Sequence, residues 1–227
     1  MLKKHEIEII AHIYNAYKEK FGIPRQSCLT KSVISKIVFD KKYSNKSYFK
    51  GLEQFTHIWL LWQFSETVER EITPTVRPPK LGGNERIGVF ATRSPFRPNH
   101  IGLSSVKIEK IDFDKKLGTV IYVSGADLMN GTPIFDIKPY LPYTDSHPDA
   151  TNGFALDNTE GLLDVKCSDE VLKKIPSNMV DGLFETLKHD PRPSYQDDSE
   201  RIYGMSYSIY QIKFKVIDNV LTLIDII

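Results

Sequence analysis

Hydrophobic positions along this chain fall mostly in short runs with a period near two, and only one stretch near the end shows the three-and-four spacing of a helix. Residues 6–14 alternate and then become apolar on both faces, which predicts a first strand entering a core. Residues 33–39 predict a second. Residues 55–64, Phe55 through Phe64, are the most apolar stretch in the protein and predict a central strand buried on both faces. His57 within it reads as a hydrogen-bonded core histidine, because no second metal-type side chain stands at ligand spacing. Ile87, Val89 and Phe90 open another strand that breaks and resumes at Leu103. Residues 106–111 and 119–123 then form a hairpin about a turn at 114–118, and residues 134–138 add a short strand.

The pattern changes after about residue 150. Residues 149–161 are polar, which marks a boundary between residues 1–150 and 151–227. Ser168 followed by Asp169 and Glu170 predicts a capped helix start; Pro176 interrupts, and Ser177 is placed to cap again. Met179, Val180, Leu183, Phe184 and Leu187 then recur at helical spacing as a core stripe, stopped by Asp190-Pro191-Arg192-Pro193. Tyr210, Ile212, Phe214 and Val216 alternate, Asp218-Asn219 turns, and Val220 to Ile227 returns as a last hairpin. The expected fold is mainly β with an α+β tail: a β-barrel-like N-terminal domain followed by a small helix-plus-hairpin C-terminal domain.

Composition narrows the class. With 41% hydrophobic and 26% charged residues the chain is that of a folded, water-soluble protein, and no apolar run reaches membrane-spanning length. Its start has no apolar signal core, and Cys28 and Cys167 stand far apart without a CxxC, so a cytoplasmic location without structural metal is expected. Net charge is only +1, yet residues 77–107 hold six Lys or Arg and one acid, Glu85. Such a local patch suits phosphate, carboxylate or RNA backbone. Within it, Pro95 and Pro98 stiffen a loop carrying Arg93 and Arg97, and Gly88 and Gly102 stand where the chain turns or something approaches closely. Residues 73–83 read as an extended arm presenting Arg77 and Lys80.

A resemblance rests on several segments together. Pro24-Arg25-Gln26, Thr75-Val76-Arg77-Pro78-Pro79-Lys80-Leu81-Gly82-Gly83-Asn84, Gly88-Val89-Phe90-Ala91-Thr92-Arg93-Ser94, Phe96-Arg97-Pro98-Asn99, Asn130-Gly131-Thr132-Pro133, Asp136-Ile137-Lys138-Pro139-Tyr140-Leu141-Pro142-Tyr143 and Asp190-Pro191-Arg192-Pro193-Ser194-Tyr195 occur in this order. Across nearly its whole length the chain resembles the TsaA-like (TrmO, YaeB) family of tRNA methyltransferases. The resemblance implies a barrel enzyme using S-adenosylmethionine to methylate the exocyclic N6 of threonylcarbamoyl-adenosine beside the tRNA anticodon. It also implies a homodimer with the cofactor near the subunit interface. By position the cofactor would touch Pro24, Arg25, Gln26, Ser65, Glu66, Arg93, Leu103, Ser124, Gly125, Ala126, Asp127 and Leu128. The chain departs from the family pattern with Ser65-Glu66 in place of a His-Gln pair and Asn130 in place of Asp.

The chemistry of these residues suits that ligand. Arg25 or Arg93 would pair with the methionyl carboxylate, Gln26 or Glu66 would bond polar edges, and backbone at 124–128 would hold the base. Glu66 or the face of Phe90 would favour the sulfonium. An internal ion pair of Arg93 with Asp127 or Asp136 is the structural alternative. Methyl transfer requires loss of a proton from the acceptor nitrogen, for which Asp136 and Tyr140 are the candidate bases; either could instead cap a turn or pack. For the tRNA anticodon loop, Arg77, Lys80, Arg97 and Lys138, with Phe96 and His100 beside them and Arg192 and Tyr195 from the tail, supply phosphate and stacking contacts. Two other functions use the same features: a non-enzymatic RNA-binding barrel, and a small-molecule methyltransferase on this fold.

Overall fold

The computed structural model describes residues 3–78, 85–155, 162–192 and 198–227. Six strands close a barrel: β1 (Ala11–Tyr14), β2 (Ile34–Phe39), β3 (His57–Gln63), and, after the two-residue strands β4 (Thr75–Val76) and β5 (Ile87–Gly88), β6 (Ile101–Asp114), β7 (Gly118–Ser124) and β8 (Pro133–Pro139). Their order around the barrel is β1-β2-β7-β6-β3-β8, with β8 pairing back onto β1, so no edge is left open. Every pairing in it is antiparallel.

Closure explains the side-chain pattern. Along β3, Ile58, Leu60 and Trp62 point into the core while His57, Trp59, Leu61 and Gln63 are half-buried on the other side. The expected double burial of this strand is therefore corrected: an antiparallel barrel has one packed face and one facing water. His57 likewise sits on the outer side, its Nδ1 2.9 Å from Thr56 Oγ1, rather than in the core. The first strand begins only at Ala11, with Ile7 and Ile9 exposed. At the next break, Ile87–Gly88 is followed by a single 3₁₀ turn over Val89–Ala91, not by continued strand.

The C-terminal part follows a short helix α1 (Pro142–Asp145) and comprises β9 (Asp164–Lys166), α2 (Asp169–Leu172), α3 (Ser177–Lys188), β10 (Tyr203–Tyr207), β11 (Tyr210–Ile217) and β12 (Val220–Ile226). Its sheet runs β10-β11-β12-β9, and β9 joins β12 in parallel. Ser168 caps α2 by accepting from Val171 N. Ser177 does not cap α3; Pro176 occupies that position and Ser177 is already the first helical residue. Leu183 and Leu187 of α3 are fully buried, with Met179, Val180 and Phe184 packed around them. A second core results, and Tyr17 and Val33 from before β2 are buried in it alongside Leu183, Phe214 and Leu221.

Candidate functional site

A cavity of about 470 Å³ opens at the end of the barrel where β3 finishes and β8 begins. Its walls come from four separate stretches: Ile23 and Pro24, residues 62–67, Pro95 with Phe96, and Asp127 to Thr132. An opening of this size is in the range of nucleoside-sized ligands.

Aromatic rings make its floor. Trp62 and Phe64 pack edge to face with centroids 4.3 Å apart, and Phe96 enters from the proline loop. Trp62 approaches so closely because Gly102 faces it across the β3–β6 ladder; a β-carbon there would lie 2.3 Å from the indole. Gly102 is thus the close approach its sequence context implied, whereas Gly88 has open space around it and an ordinary φ of −55°. The indole N–H donates to Ser104 Oγ at 3.0 Å, and Ser104 Oγ donates to Asp127 Oδ1 at 2.6 Å. Burial raises the Asp127 carboxyl above its usual range, against the opposing pull of the Ser104 bond and the Arg93 charge.

Two turns lock the walls together. Phe64 N donates to His100 O at 2.8 Å, and Thr67 Oγ1 donates to Phe64 O at 3.0 Å. The His100 ring donates through Nδ1 to Pro95 O at 3.0 Å. Thr67 and His100 are both buried, and His100 adopts a left-handed backbone with φ of 49°. His100 was expected beside RNA; its burial makes it instead a brace between the Ser65–Thr67 turn and the proline loop.

The cofactor residues predicted from sequence fall into three groups. Pro24, Ser65, Glu66 and Asp127 line the cavity. At its border Arg93 Nη1 donates to Gln26 Oε1, with Arg25 exposed beside it. No ion pair of Arg93 with Asp127 or Asp136 forms among the described residues, although its charge acts on Asp127. Ser124 donates to Glu109 Oε1 at 2.6 Å, Gly125 O accepts from Cys28 N at 2.8 Å, and Ala126 and Leu128 are buried behind the wall. Leu103 stands outside, 55% exposed on the outer face of β6, and Phe90 lies in a separate hollow beside β4 and β5.

Other candidates are dispersed. Tyr140 packs against Trp59 (5.4 Å) and His57 (6.3 Å) at the start of β3, a strand length of roughly 20 Å from the cavity end. Asp136 faces Leu61 partway along β8 and bonds the N–H of Ile137 at 2.9 Å. Neither lines the cavity. Arg77 and Lys138 are exposed, the latter opposite Trp59, and Arg97 donates to Thr92 O at 3.1 Å within its own loop. Arg192 is committed to Asp190, with Nε and Nη2 each 2.9 Å from a carboxylate oxygen and only 10% of the side chain exposed. Lys80 and Tyr195 lie outside the described residues. Lys20, Arg70, Phe64, Thr67 and Met129 line the site without having been singled out. The one sequence signal available for Phe64 was its place at the end of the apolar run. Among the described residues, no cluster of three His, Cys, Asp or Glu could hold a metal, and no helix is long and apolar enough to cross a membrane.

A closed six-stranded antiparallel barrel with a nucleoside-sized, aromatic-floored cavity at one end, bordered by an arginine loop, defines a ligand-binding barrel protein rather than a Rossmann-type one. Comparison with known proteins makes this specific. Residues 12–146 match the profile described as tRNA-methyltransferase O N-terminal domain, and residues 162–227 match the TrmO C-terminal domain. The chain is 38% identical over 221 residues to the tRNA (adenine(37)-N6)-methyltransferase of Escherichia coli K12, covering 95% of this chain and 93% of that one. It is 42% identical over 163 residues to the enzyme of the same name from Eikenella corrodens, covering 71% and 91%. A crystal structure of TrmO from P. aeruginosa superposes with a TM-score of 0.84 at 29% identity, covering 100% of this chain and 99% of the other. The chain belongs to the TrmO family.

Proposed function

We propose that this protein is an S-adenosylmethionine-dependent tRNA (adenine-N6)-methyltransferase acting on threonylcarbamoyl-adenosine beside the anticodon. The observation that carries the reading is the convergence of Pro24, the Ser65-Glu66 pair and Asp127, three stretches distant in sequence, on one cavity that Pro95 of the Arg93 loop also lines. The donor set fits the cofactor. Arg93 offers a cation for a carboxylate, Asp127 an acceptor for a ribose hydroxyl, and the rings of Trp62, Phe64 and Phe96 a π surface for a sulfonium. Glu66 on the same wall adds negative charge.

S-adenosylmethionine supplies an electrophilic methyl group when bound. The chain's own residues orient and desolvate. The buried Thr67 and His100 brace fixes the wall around Phe64 and Phe96, and alignment of reacting atoms by such rigid walls is worth about 7 kcal/mol or more of barrier. Arg77 and Arg97 remain the phosphate-binding candidates, and residues 151–227 are assigned a supporting role in tRNA binding.

A homodimer completes this reading. Leu103 is predicted to touch the cofactor yet projects from the outer face of β6, so a second copy of the chain is the simplest way to bring it to a cavity. Cytoplasmic location follows from the substrate.

The test is transfer of labelled methyl to tRNA purified with and without the threonylcarbamoyl group. Label is expected in the modified tRNA alone. Label in both would shift the substrate to plain adenosine, and absence of label together with absence of S-adenosylhomocysteine binding would refute the enzyme.

A further inference from the structure

Residues 15–33, which join β1 to β2, form no strand or helix, yet they carry Pro24, Arg25 and Gln26. Ordering so long an irregular connection has a high entropic cost, and something must hold it. The barrel side grips it near both ends: Asn15 N and Nδ2 donate to Asn130 Oδ1 at 3.0 Å and Leu128 O at 2.8 Å, Asn130 N donates to Tyr17 O at 2.7 Å, and Cys28 donates through N to Gly125 O at 2.8 Å and through Sγ to Ser105 O at 3.5 Å. The C-terminal part holds it as well. Ser208 N donates to Ala16 O at 2.7 Å, Ser206 N to Glu19 Oε1 at 2.6 Å, and Phe21 stacks on Phe214 with centroids 6.5 Å apart. Tyr17 Oη lies 2.9 Å from Thr30 Oγ1 and 3.4 Å from Thr186 Oγ1, tying both legs of the strap to α3.

On the returning leg the grip is charged. Glu185 of α3 accepts from Lys31 N at 2.6 Å and from Ser32 N at 2.7 Å through one oxygen, and from Ser32 Oγ at 2.9 Å through the other. One turn on, His189 Nε2 donates to Leu29 O at 3.0 Å. Carboxylate-to-amide bonds of this kind are roughly twice as strong as neutral ones. Between the two anchored legs the strap's tip reaches the cavity, where Pro24 forms part of the wall and Gln26 receives Arg93.

We propose that Glu185 is a positioning residue for the methyl donor: from the second core it fixes the strap that presents Pro24, Arg25 and Gln26 to the cavity. The inference rests on the reading that these three residues touch the cofactor. It makes the C-terminal part a component of the cofactor site without contact to the cofactor.

Calorimetric titration of S-adenosylhomocysteine into the full chain tests it, with amide hydrogen exchange at residues 29–32 followed in parallel. Glu185→Ala is expected to bind roughly tenfold more weakly, the weight of about one charge-assisted hydrogen bond, and to exchange faster at 31 and 32. Glu185→Gln keeps one accepting oxygen and should fall between this variant and wild type. Ile121→Val, a core change in β7, lowers stability in the barrel cluster, which contains no strap residue, and should bind as wild type, which separates positioning from general loosening. Gln26→Ala serves as the reference. Weakened Gln26→Ala beside wild-type affinity in Glu185→Ala overturns the positioning role. Wild-type affinity in Gln26→Ala overturns the cofactor reading and the proposal with it. Should Glu185→Ala fail to fold, the Glu185→Gln affinity decides, and a wild-type value there is refuting.

Discussion

Replacing Gly102 by alanine should damage the site through Trp62 alone. The added β-carbon would sit 2.3, 2.4 and 2.7 Å from three atoms of the indole, inside any tolerable contact, so the ring must move. It has little room. Phe64 packs against it at 4.3 Å, Ser104 holds its N–H at 3.0 Å, and the residue is only 7% exposed. Overpacking of this type costs about 1–3 kcal/mol, and loss of the indole hydrogen bond adds about 1 kcal/mol. For a protein of this length the sum of about 2–4 kcal/mol corresponds to a fall in Tm of roughly 5–15 °C. Because Trp62 is floor to the cavity, affinity for S-adenosylhomocysteine should fall with it. Gly88→Ala is the matched control: nothing lies within 4 Å of its would-be β-carbon and its φ is −55°, so Tm should stay within about 2 °C of wild type. Scanning calorimetry and a ligand titration on both variants decide the matter. Equal Tm and affinity in Gly102→Ala and wild type would refute the packing argument.

Two further outcomes follow from the same wall. Arg93→Ala should weaken cofactor binding about tenfold or more by removing the cation that pairs with a carboxylate, with Tm almost unchanged because its partner Gln26 is a half-exposed amide; unaltered affinity by calorimetry would count against the carboxylate role. Asp127→Asn should raise stability at neutral pH. Burial lifts the carboxyl above its ordinary 3.8, so the native state holds the proton more tightly than the unfolded chain. Wild type consequently loses stability as pH rises from that ordinary value through the raised one, a loss the amide escapes. The Tm difference between variant and wild type, followed by differential scanning from acid to neutral pH, should therefore grow upward; a constant or shrinking difference would show that Ser104 and Arg93 outweigh desolvation.

Apolar runs were enough to find β2 and β3, period-two alternation the β6–β7 hairpin, and helical spacing α3, because each buries one face against its own core. Apolar density misjudged the burial of β3 because a run such as Trp59-Leu60-Leu61-Trp62 carries apolar residues on both faces while only one face is packed. The pieces of the tail that escaped were those made by distant partners. β9 is three residues long and exists only through its parallel pairing with β12, and β10 carries Gly204 at its second position and gains its place from β11. The site divides in the same way. Pro24, Arg93 and Asp127 stand in recognisable motifs, whereas Thr67, an ordinary residue in an ordinary turn, matters only because the fold brings His100 and Pro95 to it.

The geometry also explains why a barrel alone is an insufficient description of the site. Strand ladders fix β3, β6 and β8 relative to one another, and so fix Trp62, Ser104 and the end of the 127–132 wall, where it runs into β8. They do not reach the strap or the proline loop, which form no ladder with β3 or β8. Those walls are held by scattered bonds: His100, Thr67 and the Phe64–His100 backbone bond for one, and Glu185, Tyr17 and the backbone bonds of Ala16 and Cys28 for the other. Isolated bonds of this kind open at lower free energy than a ladder, so these walls are the ones able to yield to a ligand. The two such walls meet where Arg93 Nη1 donates to Gln26 Oε1, so a change in either wall bears on that contact.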